Sequence, residues 1–132
     1  MDMKDAPLIG KDALDREVRD LSVIPWWGLE RKTVEWYPRI DPDKCSGCGV
    51  CFITCGRRVY DWDQETDRSV VTHPYNCQVA CTTCANLCPS KAIEFPSVDE
   101  AHHAAAKAQV VKKAYQKTKH IRNKDKDRPL ND

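Results

Sequence analysis

Two stretches of the chain, Val59-Tyr60-Asp61-Trp62 and Ala92-Ile93-Glu94-Phe95, alternate apolar with polar residues, the period of a strand with one buried face. Between Val59 to Asp63 and Ser69 to His73 the residues Gln64 to Arg68 are polar, which predicts a hairpin. Earlier in the chain, Lys11 to Leu21 reads as a helix. It is followed by Ile24-Pro25-Trp26-Trp27-Gly28, which proline and glycine keep non-helical. Towards the end, Ser97-Val98-Asp99-Glu100 carries the serine and glutamate of a capping box ahead of an alanine-rich run, so a helix is predicted to about His120. Its apolar face, through Val98, Ala101, Ala105, Ala108, Val111 and Tyr115, is narrow and requires a surface to lie against. Lys124 to Asp132 reads as disordered unless bound.

The two alternating stretches belong to an internal repeat. An offset of 33 places lays Cys48, Cys51 and Cys55 on Cys81, Cys84 and Cys88, and lays Tyr60 and Trp62 on Ile93 and Phe95. Each copy is predicted to run from an extended approach through a cysteine loop into a short helix and then a strand. All eight cysteines fall between positions 45 and 88 of the 132 residues. The chain therefore divides into an N-terminal arm (1–36), a cysteine-bearing domain (37–96) and a basic C-terminal helix and tail (97–132). A central segment this short buries too little apolar surface to be comfortably stable without cross-links.

Disulfides would require an oxidising compartment, yet the residues after Met1 are charged throughout, with no apolar signal-peptide core. Reduced thiols and a cytoplasmic protein are expected, and no apolar run is long enough to span a bilayer. Charge by segment is more informative than the net of +1. Residues 1–44 carry eight basic and ten acidic groups, residues 45–96 four and five, and residues 97–132 nine and five. The near-neutral centre is poorly suited to long-range electrostatic steering.

The first cysteine run, Cys45-x2-Cys48-x2-Cys51-x3-Cys55, has the spacing that wraps a cubane iron–sulfur cluster. Cysteines three apart can bring their sulfurs round one centre. Cys55 lies four residues beyond Cys51, about one helical turn on, and points away from it. Zinc sites use two pairs of cysteines and do not need four within so short a run, twice over. Cys77-x3-Cys81-x2-Cys84 also matches the motif of radical S-adenosylmethionine enzymes, but the chain lacks the length for their barrel and carries further cysteines. The four histidines, His73, His102, His103 and His120, fit no ligand spacing with the cysteines and read as surface residues.

Over about residues 37 to 96 the sequence resembles the bacterial two-cluster ferredoxins, down to the closing Cys88-Pro89. The resemblance implies an α+β, pseudo-two-fold ferredoxin fold carrying two [4Fe-4S] clusters. One would be held by Cys45, Cys48, Cys51 and Cys88, the other by Cys77, Cys81, Cys84 and Cys55. Two departures stand out: Gly56 replaces the usual proline after the fourth cysteine, and the Cys77-x3-Cys81 gap is one residue longer than usual, so its loop must bulge. By spacing, Cys77 is the least secure ligand, and its failure would leave a three-iron cluster or an open iron site. Backbone amides of Ser46 to Val50 and Gln78 to Thr83 are the expected donors to cluster sulfurs, with Val50, Phe52, Ile53, Val79 and Leu87 as the apolar shell.

A cubane with four thiolate ligands leaves no open coordination site, so one-electron transfer is expected and no catalytic residue is assigned. A diffusing ferredoxin carrier and a docked subunit of a larger oxidoreductase are both consistent with this. The near-neutral core, the tryptophans of the arm and the basic C-terminal helix favour the subunit, with Trp26, Trp27, Lys112 and Lys113 as its partner-docking residues. The tryptophans also have a plainer reading, as a cap on the small core. A cluster-based redox sensor binding nucleic acid through Lys107, Lys112, Lys113, Lys117, Lys119, Arg122, Lys124, Lys126 and Arg128 is disfavoured, because the tail has few aromatics or glycines.

Overall fold

The computed structural model describes residues 2–122. Three two-stranded antiparallel sheets and four short helices make up the regular structure, joined by turns and single 3-10 turns. Strands β1 (Leu8–Lys11) and β2 (Glu17–Arg19) pair with each other. Strand β3 (Arg39–Ile40) pairs with β6 (Ile93–Glu94), closing the two ends of the cysteine-bearing region against each other. Strands β4 (Tyr60–Asp63) and β5 (Arg68–Val71) form the hairpin that the polar Gln64 to Arg68 segment predicts.

Helices α1 (Val50–Thr54) and α2 (Thr83–Leu87) are five residues each and pack on one another. They start 33 positions apart, the offset of the cysteine repeat. The backbone follows that offset at two left-handed positions. Arg58 and Lys91 both adopt left-handed conformations, at φ 53° and 54°, and so do Gly47 and Ala80, at 78° and 74°.

The core joins all parts of the chain. Val34 and Trp36 come from the first 36 residues, Val59 and Tyr60 from the start of β4, Cys77 and Val79 from the second cysteine loop, and Ile93 from β6. Trp36 stacks on Phe95 with ring centroids 5.3 Å apart, and its Nε1 donates to the carbonyl of Cys81. Trp26, Leu29, Ala101 and Ala104 pack round the edge of this cluster, so the first tryptophan of the pair does cover the core.

Two helix expectations are corrected. Lys11 to Leu21 is a β-hairpin. The Asp12 carboxylate accepts from the amides of Leu14 and Arg16, both at 2.9 Å, and this local turn competes with the helix. Asp15, at φ 65°, completes the reversal, and Val18 is buried beyond it. The long C-terminal helix is two helices, α3 (Val98–Lys107) and α4 (Val110–Thr118), broken at Gln109, whose φ is 55°. Ser97 caps the first through its hydroxyl, as predicted, by accepting from the Asp99 amide. The break moves the buried stripe: Ala108 is buried, whereas Val98, Val111 and Tyr115 are exposed. The turn also lets Lys113 reach back across the chain and donate to the Trp27 carbonyl at 2.7 Å. Lys124 to Asp132 lies outside the described residues.

The N-terminal hairpin is fastened to the cysteine-bearing region by buried polar groups. Asn76, 1% exposed, accepts from the Leu21 amide at 3.0 Å and donates to the carbonyls of Arg19, at 3.1 Å, and Arg57, at 2.9 Å. Arg58 donates to the Ile9 carbonyl and pairs with Asp61. Replacing Asn76 by alanine strands one amide and two carbonyls where water cannot replace it. A loss of about 3 kcal/mol in unfolding free energy is expected from denaturant titration of the full chain, and a loss below about 1 kcal/mol would contradict this role.

Candidate metal centre

The first cysteine loop is shaped by two glycines. Gly47 and Gly49 sit at φ 78° and 79°, and a Cβ on Gly47 would lie 3.2 Å from the Asp67 carbonyl oxygen. The chain then enters α1, which carries Cys51 in its first turn and delivers Cys55 at its end. The second loop has no glycine and matches the first at only one of the two positions, since Thr82 takes φ −132° where Gly49 takes 79°. Ala80 takes the left-handed position, Thr82 precedes α2, and Cys88 ends that helix. The additional residue between Cys77 and Cys81 lies in a turn at Val79-Ala80 that the Cys81 amide closes by donating to the Gln78 carbonyl at 2.9 Å.

Two cavities lie among the cysteines. One, of about 190 Å³, is bounded by Cys55, Cys77, Cys81 and Cys84, with Pro38, Val59, Tyr60 and Phe95 in its wall. A tighter one, of about 20 Å³, is bounded by Cys45, Cys48, Cys51 and Cys88, with Ile40, Ser69, Ala92 and Ile93. Each thus draws three cysteines from one motif and one from the other. All eight are free thiols. Among the described residues, no three His, Cys, Asp or Glu side chains group tightly enough to hold a single metal ion.

Four soft donors spread round a cavity suit the corners of a polynuclear iron–sulfur unit. The remaining polar groups fit the same guest. Ser69 Oγ is buried in the wall of the tighter cavity with no protein partner, a donor free for a sulfur. Tyr60 Oη lies 3.1 Å from Cys84 Sγ in the wider one. The amide of Ala92 donates to Cys88 Sγ at 3.4 Å.

Burial raises three of the thiols. It pushes Cys77 up to about 12, with the neighbouring Cys81 and Cys84 adding to the rise and Arg31 opposing it. Burial also raises Cys84, against the Tyr60 hydroxyl, and it raises Cys51. For Cys88 burial acts in the same direction but is outweighed by the Ser90 hydroxyl and the amides of Ala92, Ser90 and Lys91, so its thiol is lowered. Binding a metal as thiolates therefore releases protons, most reluctantly at Cys77.

Cys77 is the most enclosed of the eight. Asn76 anchors the residue before it, and the Arg31 guanidinium donates to the Cys77 carbonyl at 2.8 Å. The N-terminal arm thus holds in place the loop whose spacing is irregular. Gly56 lies beneath the arm as well: a Cβ there would come within 3.1 Å of Arg16 Nη2.

The apolar shell matches expectation in part: Val50 lines the tighter cavity and Phe52 packs against the core. Val79 is buried, but Ile53 and Leu87 are about half exposed, because each lies on the outer face of its short helix. Strand residues complete the walls, Tyr60 in the wider cavity and Ile40, Ser69 and Ile93 in the tighter one. His73 bonds the Arg58 carbonyl through Nδ1, and His102, His103 and His120 are exposed. Of the candidate docking residues, Trp26 and Trp27 are half-buried, Lys113 is engaged with Trp27, and Lys112 is exposed. Sequence reasoning missed Arg31, Asn76 and Ser69, whose importance depends on contacts far along the chain.

A 4Fe-4S binding domain model matches residues 38–60. An uncharacterized ferredoxin of Methanocaldococcus jannaschii is 42% identical over 71 residues, covering 53% of this chain and 47% of that protein. Ferredoxin-3 of Nostoc sp. is 39% identical over 74 residues, covering 41% of this chain and 75% of that protein. A 48-residue segment is 40% identical to part of the NAD-dependent dihydropyrimidine dehydrogenase subunit PreA of Escherichia coli, covering 34% of this chain and 11% of that subunit. The chain spans about half the length of the archaeal relative. No solved structure matches.

The left-handed alanine yields a prediction. Ala80→Gly removes a steric cost of about 1–2 kcal/mol against a smaller entropic one, so a net gain of about 0.5–1 kcal/mol is expected. Gly47→Ala, at the matching position, should destabilise. Thermal unfolding of the metal-loaded chain measures both, and a loss of stability in Ala80→Gly would contradict the reading of the loop.

Proposed function

The chain belongs to the 4Fe-4S ferredoxins, and on that premise we propose that it transfers electrons through two [4Fe-4S] clusters held on crossed cysteine sets. Cys45, Cys48, Cys51 and Cys88 form one set, and Cys77, Cys81, Cys84 and Cys55 the other. The observation that carries this reading is the pair of cavities, each lined by four cysteines of which one comes from the opposite motif. A cluster supplies a one-electron couple when bound. The chain's own residues position the thiols, wall them with Val59, Tyr60, Ile93 and Phe95, and donate to the sulfurs from Tyr60, Ser69 and the Ala92 amide.

The matching placement of α1 and α2 supports a pseudo-two-fold arrangement of residues 37–96, flanked by the arm of residues 1–36 and the helices that begin at residue 97. Cys48 and Cys81 are the exposed members of the two sets, so electrons enter and leave near them. Both faces are short paths to a partner.

The finer reading is a small electron-transfer subunit of a larger oxidoreductase. The match to a segment of an NAD-dependent dehydrogenase subunit supports it, as do the exposed Val111, Tyr115 and Ile121 near the end of the described chain. A free carrier is the second reading, favoured by the similarity to a protein named Ferredoxin-3, three quarters of whose length is covered. Among the described residues no helix is long and apolar enough to cross a membrane. Part of the basic surface that would serve nucleic acid, at Lys124, Lys126 and Arg128, lies outside the described residues.

Anoxic reconstitution tests the crossed sets. Cys55→Ser should damage the cluster whose other ligands begin at Cys77 and spare the one beside it in sequence, as read by iron and sulfide content together with EPR of each reduced cluster. Loss of the nearer cluster alone would show the assignment wrong. For the complex, anoxic isolation from the native host should bring down a catalytic oxidoreductase chain. A lone 15.1 kDa monomer that cycles freely would favour the carrier.

A further inference from the structure

Arg31 is the only buried charged residue among those described, at 4% exposure. Burying a guanidinium is costly unless something compensates its charge. Its hydrogen bonds go to three carbonyls: Nη1 to Val34 at 2.9 Å, and Nη2 to Trp36 at 2.6 Å and Cys77 at 2.8 Å. The Tyr75 ring lies 5.4 Å away, with the cation over its face. No carboxylate pairs with it among the described residues. Carbonyls engage three of its N–H donors but leave the charge itself uncancelled.

What lies beside that charge is Cys77, in the wall of the wider cavity. Two further arginines lie on the same side. Arg57 reaches the Asn76 carbonyl and Gln78 Oε1, and Arg16 lies over Gly56. The tighter cavity has a formal counterpart, since Arg68 donates to the Cys45 carbonyl, but Arg68 is only half-buried and Lys91, beside Cys88, is exposed. Water therefore screens the charges there, whereas Arg31 is largely shielded from it.

Four thiolates outweigh the positive charge of a cubane core, so the site is anionic and becomes more so on reduction. A buried cation stabilises the reduced form and raises the potential. We propose that Arg31 is the buried countercharge of the cluster held by Cys55, Cys77, Cys81 and Cys84, and that it sets the order of reduction by drawing the first electron to that cluster. This rests on the two-cluster reading above. The step takes one electron from a one-electron donor protein; no bond forms or breaks and no proton moves. Arg31 acts as a positioning residue through the Cys77 carbonyl and through its field. The N-terminal arm then has an electrical role as well as a structural one.

The test is an EPR-monitored redox titration of the reconstituted full chain, as wild type, Arg31→Lys and Arg31→Met. In Arg31→Met the reduction equilibrium constant of one cluster should fall about tenfold, equivalent to about 59 mV for a one-electron couple. The other cluster should stay put, and Arg31→Lys should retain most of the wild-type value. An unchanged potential, or equal shifts in both clusters, would overturn the inference.

If Arg31→Met loads poorly, paramagnetic NMR of the wild type decides. The β-protons of Cys77, Cys81, Cys84 and Cys55 should shift with the first electron, and earlier movement at the Cys45 set overturns the assignment. Iron for only one cubane in the wild type would instead overturn the two-cluster reading, and this inference with it.

Discussion

One amide and two carbonyls from two separate segments, Arg19–Leu21 and Arg57, converge on the Asn76 side chain, and one residue later Arg31 grips the carbonyl of Cys77. Without water to substitute, each of these bonds must be made by the protein or lost. The second cysteine loop has one residue more than its counterpart and no glycine to relax it. Its start is held by the arm, and the additional residue is taken up in the turn that the Cys81 amide closes on the Gln78 carbonyl. The rest of the arrangement follows from that anchor. Once Cys77 is fixed, α2 is aligned with α1, and Cys55 arrives at the cavity that Cys77 bounds.

The same anchor makes the two cavities unequal. Both are walled in part by strand residues, and both have an arginine on the carbonyl of their first cysteine. They differ in enclosure: the Cys77 side has the buried Arg31, with Arg57 and Arg16 near it, and the Cys45 side has a half-exposed Arg68. Charges of one sign at similar places act differently when one is removed from solvent. An internal repeat thus holds two cysteine-lined cavities with different surroundings, and the buried part of the difference, Arg31, comes from the first 36 residues.

Small size explains why flanking segments contribute so much. The repeat has few apolar residues of its own, so Val34 and Trp36 from one side and Ala101 and Ala104 from the other complete the core. Trp36 both stacks on Phe95 and donates to the Cys81 carbonyl, joining core packing to the cysteine loop in one side chain. Lys113 ties the final helix to the Trp27 loop, so the two flanks also contact each other.

The cysteine spacing, the 33-residue offset, the β4–β5 hairpin and the Ser97 cap were legible in the sequence because each depends on residues close together in the chain. Turn chemistry and cluster-loop spacing are local properties, and local order is what a sequence by itself determines. Where local signals conflict, contacts decide. Lys11 to Leu21 has a helical pattern, yet Asp12 turns it into a hairpin that Arg58 and Asn76 hold down. The C-terminal run has good helix formers throughout, yet it breaks at Gln109, where the turn lets Ala108 be buried and Lys113 reach Trp27. Ile53 and Leu87, apolar and next to cysteines, face outward because a five-residue helix has only one inner side. The number and spacing of the cysteines were thus set by sequence alone. Which four share a cavity, how Cys77 is secured, and where a buried charge lies beside it were decided by tertiary structure, because each requires residues tens of positions apart to exclude water together.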